Sequence, residues 1–191
     1  GTGAFALKLA GARLQAGAGG LFLETGDAAD AVTLTDATLT SAGAMRLDFG
    51  GGADVVAISG GSLTAAEGLS LLSGAGADRV TVQGASLSGK TVSLDMGEGD
   101  DLLILSDLAG LHGAATVLGG AGLDEVQIIR LPAQRAGDTL TIDGGEGSDT
   151  VRIQTHGSVS GAGISYDIAV RDSGAAKSGL DLLDVRGTDE A

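Results

Sequence analysis

Short phrases in which apolar and polar residues alternate recur along the chain, three to a repeat. One repeat contains residues 80–82 (Val-Thr-Val), 86–88 (Ser-Leu-Ser) and 92–94 (Val-Ser-Leu). Alternation with a period of two is typical of half-buried strands, and the Gly, Ser and Asp residues between the phrases are typical of turns. The pattern therefore predicts three short strands, separated by turns, in each repeat.

An aspartate marks the same point of each repeat, just before the first strand. From Asp30 to Asp149 the steps between these aspartates are 24, 24, 23, 23 and 25 residues. Three strands in a repeat of this length predict an all-β fold, a parallel β-helix (β-solenoid) of roughly triangular section. The general preference of parallel crossovers makes it right-handed. We expect about eight coils, about 4.8 Å apart like neighbouring strands, in a rod on the order of 38 Å long.

The solenoid is predicted to form a single domain, residues 1–191. Residues 1–163 keep the regular rhythm. Residues 164–191 are expected to form an irregular terminal coil or a junction, because the next aspartate of this kind, Asp181, follows Asp149 by 32 residues.

Two deviations from the regular coil are expected. Residues 164–170 predict a longer third strand, and residues 179–185 predict a last partial coil. Pro132 falls where the second strand of the sixth coil is expected. Proline lacks a ladder donor, so that strand should be bent or bulged.

The apolar residues of the phrases are predicted to face the interior, each covered by its counterpart in the next coil. Leu39, Leu63 and Leu87 should form one interior column. The interior residues of the other strands are predicted to be Val56, Ile58, Val80, Val82, Leu94, Val126, Ile128, Ile142, Val151 and Ile153. The composition suits a thin core of this kind, since the chain has 35 Gly but 3 Phe, 1 Tyr and no Trp.

The net charge of −14 narrows the choice of partners. A chain this acidic lacks the basic patch with which proteins bind nucleic acid or an anionic membrane, so neither partner is expected. No apolar run is long enough for a transmembrane helix, and membrane insertion is not expected. The chain has no Cys, which excludes a disulfide and a thiolate metal site. The negative net charge favours the binding of cations.

A glycine-rich turn precedes the first strand of the coil. Residues 119–127 (Gly-Gly-Ala-Gly-Leu-Asp-Glu-Val-Gln) and 144–152 (Gly-Gly-Glu-Gly-Ser-Asp-Thr-Val-Arg) are its two full copies. Glycine adopts positive φ at little cost, which suits a tight turn. We call this turn, from its first Gly to its Asp, the glycine corner. In the looser copies that end at Asp54, Asp78 and Asp101, the first Gly is replaced by Phe49, Ser73 and Met96.

Stacking the coils brings the corner aspartates into a row, which we call the aspartate column. Its predicted members are Asp54, Asp78, Asp101, Asp124 and Asp149. Two unit charges ~5 Å apart repel by roughly 1 kcal/mol in water and by about 3 kcal/mol at an effective dielectric constant of 20, so the column needs a partner. Calcium is one candidate, because it takes carboxylate and backbone carbonyl oxygens together. Backbone N–H groups of the turn are the other.

The two full copies of the corner match a nine-residue repeat, Gly-Gly-x-Gly-x-Asp-x-U-x, in which U is a large apolar residue. The chain therefore resembles the repeats-in-toxin (RTX) family of secreted calcium-binding β-rolls. The resemblance implies that turn carbonyls and the five carboxylates of the aspartate column hold Ca²⁺ between stacked coils. It covers about nine residues of each coil, and here only one corner per coil carries the motif instead of two. The rest of the coil is similar to the wider β-helices of large bacterial surface proteins and adhesins.

Additional acidic residues occur on alternate coils. Asp95 and Glu98 precede Asp101, and the same positions before Asp149 are again acidic, whereas the coils between them carry Leu and Ala. One explanation is that these acids supply extra calcium ligands. The other is that a spacing of about 9.6 Å reduces their mutual repulsion, since it is close to the Debye length at ~0.1 M salt.

An enzyme is a competing interpretation, because some β-helices process polysaccharides with carboxylates on one strand face. Here the acids recur at a turn in coil after coil, whereas catalysis would mark one coil as different. His112 and His156 fall at different phases of the repeat and are expected to be solvated turn residues. We therefore expect no enzymatic activity.

A face that binds ice or sugar is a third interpretation. The second strands are predicted to present a ladder of hydroxyl groups, although such residues are more often the wet face of a sheet. The members are Thr38, Thr40, Ser62, Thr64, Ser86, Ser88, Ser158 and Ser160.

The sequence as a whole predicts a structural role in a secreted or cell-surface bacterial protein. The expected role is that of an adhesin shaft, a spacer, or a surface-layer or filament element, stabilised by calcium. Its expected partners are neighbouring solenoid modules or copies of itself stacked end to end. The alternative is a β-helix that binds or processes polysaccharide, with a cell-surface glycan as partner.

Overall fold

Three faces of stacked parallel strands make up the protein. The computed structural model describes residues 3–132, 134–155, 166–174 and 181–187, and these residues contain 18 strands and no helix. The first strands of the coils are β1 (Ala6–Ala10), β4 (Ala31–Thr35), β7 (Val55–Ser59), β10 (Arg79–Gln83), β12 (Leu102–Ser106), β14 (Glu125–Leu131), β16 (Thr150–Thr155) and β18 (Leu182–Arg186).

The second and third strands form the other two faces. The second strands that stand alone are β2 (Arg13–Ala16), β5 (Thr38–Ser41) and β8 (Ser62–Ala65). The third strands that stand alone are β3 (Leu21–Glu24), β6 (Met45–Asp48), β9 (Gly68–Leu72), β15 (Thr139–Gly147) and β17 (Ile168–Arg171). In the fourth and fifth coils the second and third strands are continuous and form β11 (Ser86–Glu98) and β13 (Gly110–Gly122).

Every strand pairing is parallel, and each strand pairs with its counterpart one coil away. The first strands form one sheet in the order β1-β4-β7-β10-β12-β14-β16-β18, and the others form a second sheet. This arrangement confirms the predicted β-solenoid with three strands per coil. About six coils are complete, and β16, β17 and β18 continue the stack as partial coils.

The interior consists of the predicted apolar columns. Leu39, Leu63 and Leu87 are 2%, 1% and 1% exposed and lie opposite one another in adjacent coils. All ten interior residues predicted for the other strands are buried as well. Each apolar side chain is thus covered by a similar one above and below, which fills a thin core without large aromatic residues.

The sixth coil departs from the regular pattern near Pro132, but the bulge lies in the first strand, β14, and not in a second strand as predicted. The pairing of β14 with β16 shifts between Ile129 and Leu131. Arg130, in this bulge, has a φ of 54°, an unusual value for a residue with a side chain. The described residues between Pro132 and Thr139 form a turn in place of a second strand.

The last described residues confirm part of the terminal prediction. β18 (Leu182–Arg186) overlaps the predicted partial coil at residues 179–185 and pairs with β16. The third strand here is β17, but its four residues make it no longer than β3 or β6, and Tyr166 and Asp167 precede it outside any strand, so the expectation of a longer strand is wrong for the described residues. Residues 164 and 165, His156, Ser158 and Ser160 lie outside the described part of the chain.

Candidate functional site

The backbone of the glycine corner explains which of its positions require glycine. In the fourth coil Gly97 and Gly99 have φ values of 96° and 130°, which residues with a side chain rarely adopt. The first position of the corner, Gly119 in one copy and Met96 in another, is not among the residues with positive φ. It can therefore carry a side chain, and Phe49, Ser73 and Met96 are fully buried there.

Adjacent corners are held together by backbone hydrogen bonds. The N–H of Glu98 donates to the carbonyl of Gly74 over 2.7 Å, and the N–H of Gly99 donates to the carbonyl of Ala121 over 2.7 Å. The approach is so close that a Cβ on Gly99 would lie 1.7 Å from the carbonyl oxygen of Gly76. These turn carbonyls already accept hydrogen bonds from the neighbouring coil.

The structure brings all five predicted members of the aspartate column into register and buries them. Their exposed fractions lie between 1% and 3%. The Oδ1 atom of each accepts the backbone N–H of the corner Asp in the preceding coil. The donor–acceptor distances are 2.7 Å for Asp30 to Asp54, 2.7 Å for Asp54 to Asp78, 2.7 Å for Asp78 to Asp101, 2.9 Å for Asp101 to Asp124 and 3.0 Å for Asp124 to Asp149.

The same contact continues at both ends of the column. Asp30 accepts the N–H of Phe5 at 2.6 Å, and Asp181 accepts the N–H of Asp149 at 3.0 Å. Phe5 occupies the corner position of the first coil but has no carboxylate. These N–H to Oδ1 hydrogen bonds therefore run from the first described coil to the last. In each of them an aspartate accepts an N–H from the preceding coil.

The second carboxylate oxygen has a different environment. The Oδ2 atoms of all five members are buried and have no hydrogen-bond partner among the described residues. The Oδ2 of Asp124 lies beside Gly119, and that of Asp149 lies beside Gly144. In these two copies the residue five positions before the Asp therefore lies close to its Oδ2. The sequence carried a signal for this position, since Phe49, Ser73 and Met96 are the departures from the glycine motif.

Burial has a clear electrostatic effect on the column. Burial raises the pKa of Asp101 to about 7, and the charges of Asp124, Asp78 and Asp100 add to the rise, while the hydrogen bond from the Asp78 N–H opposes it. Burial is also the main cause that raises the pKa values of Asp54 and Asp124 to about 6. Burial also raises the pKa values of Asp78 and Asp149.

Asp30 differs from the five members, although it lies in the same row. A hydrogen bond with the hydroxyl of Thr25 is the largest cause that holds the pKa of Asp30 below its ordinary value, and the N–H groups of Phe5 and Gly26 act in the same direction. Thr25 occupies the position five residues before the Asp. A polar side chain at that position does not act alike in every coil, since the hydroxyl of Ser73 bonds Sδ of Met96 and burial raises the pKa of Asp78.

The resemblance to RTX repeats raises the question whether this arrangement fits calcium. Calcium takes six to eight oxygen ligands. Here each Oδ1 is engaged by a backbone N–H, and turn carbonyls such as those of Gly74 and Ala121 accept ladder bonds. Each of the five carboxyl groups has one buried oxygen without a partner among the described residues. Within the described residues no group of three or more His, Asp or Glu side chains is placed to hold a metal ion. The arrangement does not form a calcium shell. Calcium at the aspartate column stays a prediction, and it would require Oδ1 to leave the backbone.

The extra acids of alternate coils do not join the column. Asp95 and Glu98 are partly or fully exposed, whereas Asp101 is buried. In the later coil Asp143 accepts the N–H of Ser173 at 2.9 Å, and Glu146 is exposed. The structure therefore separates the two acidic sets: in the outer set Glu98 and Glu146 are exposed, and Asp95 and Asp143 are half-buried.

The expectation that His112 is a solvated turn residue is wrong. His112 lies in β13, its side chain is 16% exposed, and its Nδ1 lies 3.1 Å from Oδ2 of Asp138. Asp138 also accepts the N–H groups of Gly113 at 2.8 Å and Arg135 at 3.0 Å. This contact fixes the turn after Pro132. Asp138 has no counterpart in the other coils, so the repeat pattern could not reveal it.

The predicted hydroxyl ladder is present on the outer face of the second strands. Thr40 lies opposite Thr64, and Thr64 lies opposite Ser88. The row ends at His112, which lies opposite Ser88 in the next coil. The ladder is thus three coils long in β5, β8 and β11.

Comparison with known proteins assigns no family to this chain. No family model matches the chain, and neither a curated protein nor a solved structure matches it. Among the described residues no helix has the length and apolar character needed to cross a bilayer.

Proposed function

We propose that this chain is a structural repeat module of an extracellular bacterial protein, a rod that serves as an adhesin shaft, a spacer, or an element of a surface layer or filament. The observation that carries the proposal is the position of the most regularly repeated carboxylates. They are buried and bind the backbone of the neighbouring coil, and so they hold coils together. The resemblance of the two full glycine corners to secreted repeats supports an extracellular location.

The proposed partner is a further solenoid coil, from a neighbouring module or a second copy, packed against the first described coil. The interior residues of that coil are uncovered on one side, and Leu14 is 42% exposed. Phe22 is 59% exposed and lines a cavity of about 160 Å³ together with Leu7, Leu9 and Leu21. Another coil would cover this apolar surface and pair the free edges of β1, β2 and β3.

Sedimentation velocity over a range of protein concentrations tests the proposal. We expect an elongated particle that associates as concentration rises, and we expect Phe22→Ser to weaken the association. Val55→Ser is the matched control, because Val55 is 50% exposed but lies on the side of the rod. A monomer at every concentration, or equal effects of the two substitutions, would contradict end-to-end contact.

The alternative, a β-helix that binds or processes polysaccharide, draws support from the hydroxyl ladder on β5, β8 and β11. Titration calorimetry with soluble polysaccharides measures polysaccharide binding directly. Saturable binding that is lost in Ser88→Ala, with the melting temperature unchanged, would favour the alternative over the structural role.

A further inference from the structure

We propose that the aspartate column is a neutral hydrogen-bond column, in which each side chain completes the backbone ladder at the glycine corner and does not use its charge to bind a cation. The carbonyl of Asp54 accepts the N–H of Arg79 in the ordinary ladder at 2.9 Å. The N–H of Asp54 instead donates to the side chain of Asp78 at 2.7 Å. The carboxyl group thus supplies an acceptor that the backbone of the next coil does not provide.

The surroundings of the carboxyl groups favour the neutral form. Each member receives one hydrogen bond from the backbone on Oδ1, and its Oδ2 is buried without a partner in the described structure. A buried carboxylate with an unpaired oxygen is costly, and the protein avoids the cost when the group is uncharged. The groups that face Asp101 most closely are Asp78, Asp124 and Asp100, which are themselves acids. Adjacent negative charges increase the cost.

Asp30 supplies a contrast within the same row. It receives the N–H of Phe5 on Oδ1 at 2.6 Å and the N–H of Gly26 on Oδ2 at 3.3 Å, so both of its oxygens have a donor. These groups stabilise a charged carboxylate. Asp30 and Asp101 therefore make the same contact to the preceding coil, but the first is suited to the charged form and the second to the neutral form.

The replacement of Asp by Asn separates charge from hydrogen bonding. Asn keeps the Oδ1 acceptor but replaces Oδ2 with an NH₂ group. In Asp101→Asn no hydrogen bond to Oδ2 is lost, because that atom has no partner among the described residues, and the melting temperature should equal or exceed that of the wild type. In Asp30→Asn it faces the Gly26 N–H, and the melting temperature should fall by at least about 2 °C. Asp101→Ala, which removes the acceptor, should also lower it.

The experiment measures thermal unfolding of the full chain by circular dichroism at neutral pH, once in calcium and once in chelator. The proposal holds if Asp101→Asn lies within about 2 °C of the wild type or above it in both buffers while Asp30→Asn falls. A larger fall of Asp101→Asn, or equal responses at the two positions, would overturn it. So would a calcium-dependent rise in the wild type that Asp101→Asn abolishes. If Asp101→Ala does not fold, the Asn variants decide alone.

Discussion

At the scale of the residue, the groups around the carboxyl, among them the side chain five positions before it, distinguish Asp30 from the other corner aspartates. Thr25 offers a hydroxyl, and the pKa of Asp30 is lowered. Met96 occupies the same position before Asp101, whose pKa burial raises to about 7. The two corners also differ in their backbone: Gly97 and Gly99 have positive φ, whereas residues 26–28 do not. The N–H of Gly26 donates to Oδ2 of Asp30, but Oδ2 of Asp101 has no partner among the described residues.

The raised pKa values predict that the protein becomes more stable as the solution is acidified from about pH 8 to pH 5. An unfolded Asp titrates near 3.9, whereas the pKa values of Asp54 and Asp124 are about 6 and that of Asp101 is about 7 in the folded chain. Between these values the folded state binds more protons than the unfolded state, so the free energy of unfolding falls as pH rises. Asp30, with its lowered pKa, acts in the opposite direction only at lower pH.

Melting temperatures measured across this pH range check the prediction. Asp101→Asn is the control, because it removes one of the titrating groups and should flatten the curve. Calcium ligation by the same carboxylates would produce the opposite trend, since protons and calcium compete for them. A melting temperature that is constant or falls towards pH 5 would show that the interior carboxyl groups do not take up protons.

At the scale of the strand, stability arises from repeated apolar columns. Leu63 lies between Leu39 and Leu87 and is 1% exposed. Leu14 belongs to the same column but lies in the first coil and is 42% exposed. The two positions are equivalent in the repeat and differ only in how much of the side chain is covered.

We expect Leu63→Ala to lower the free energy of unfolding by about 2 to 5 kcal/mol, because the core around it cannot collapse to fill the cavity. Leu14→Ala should cost clearly less, since its side chain is already partly in water. Urea denaturation of both variants measures the difference. Equal losses would mean that the first coil is covered in solution, as it would be in an end-to-end assembly.

At the scale of the molecule, the protein is a linear stack in which each coil contacts its neighbours. In such a stack the stability of a coil depends on how many neighbours cover it. The interior coils, such as the one formed by β7, β8 and β9, are covered on both sides, whereas the coil of β1, β2 and β3 is covered on one. The local free energy of opening should therefore vary along the rod.

Hydrogen exchange is expected to reveal this gradient. Ladder amides of β7 and β9 should exchange at least about tenfold more slowly than those of β1 and β3, because opening an interior coil breaks contacts on two sides. The measurement requires dilute protein, so that ends are not covered by association. Uniform protection along the described strands would indicate a single cooperative unit instead.

The sequence alone determined the architecture, because a solenoid repeats one local pattern at a fixed period. The spacing of the aspartates predicted the length of a coil, and the alternation of apolar and polar residues predicted which side chains face inward. The spacing between the phrases predicted the register of strands in adjacent coils. For this reason the interior columns, the irregularity at Pro132 and the register of the five corner aspartates could all be predicted.

Only the tertiary structure decided what the aspartates contact. Their hydrogen bonds join residues 23 to 25 positions apart along the column, and the donor is a backbone N–H, which leaves no signature in the sequence. The pairing of His112 with Asp138 escaped prediction for the related reason that it occurs in a single coil. A repeat reveals what every coil shares, whereas the burial of each carboxylate and the side chain that covers it depend on the particular neighbours that stacking supplies.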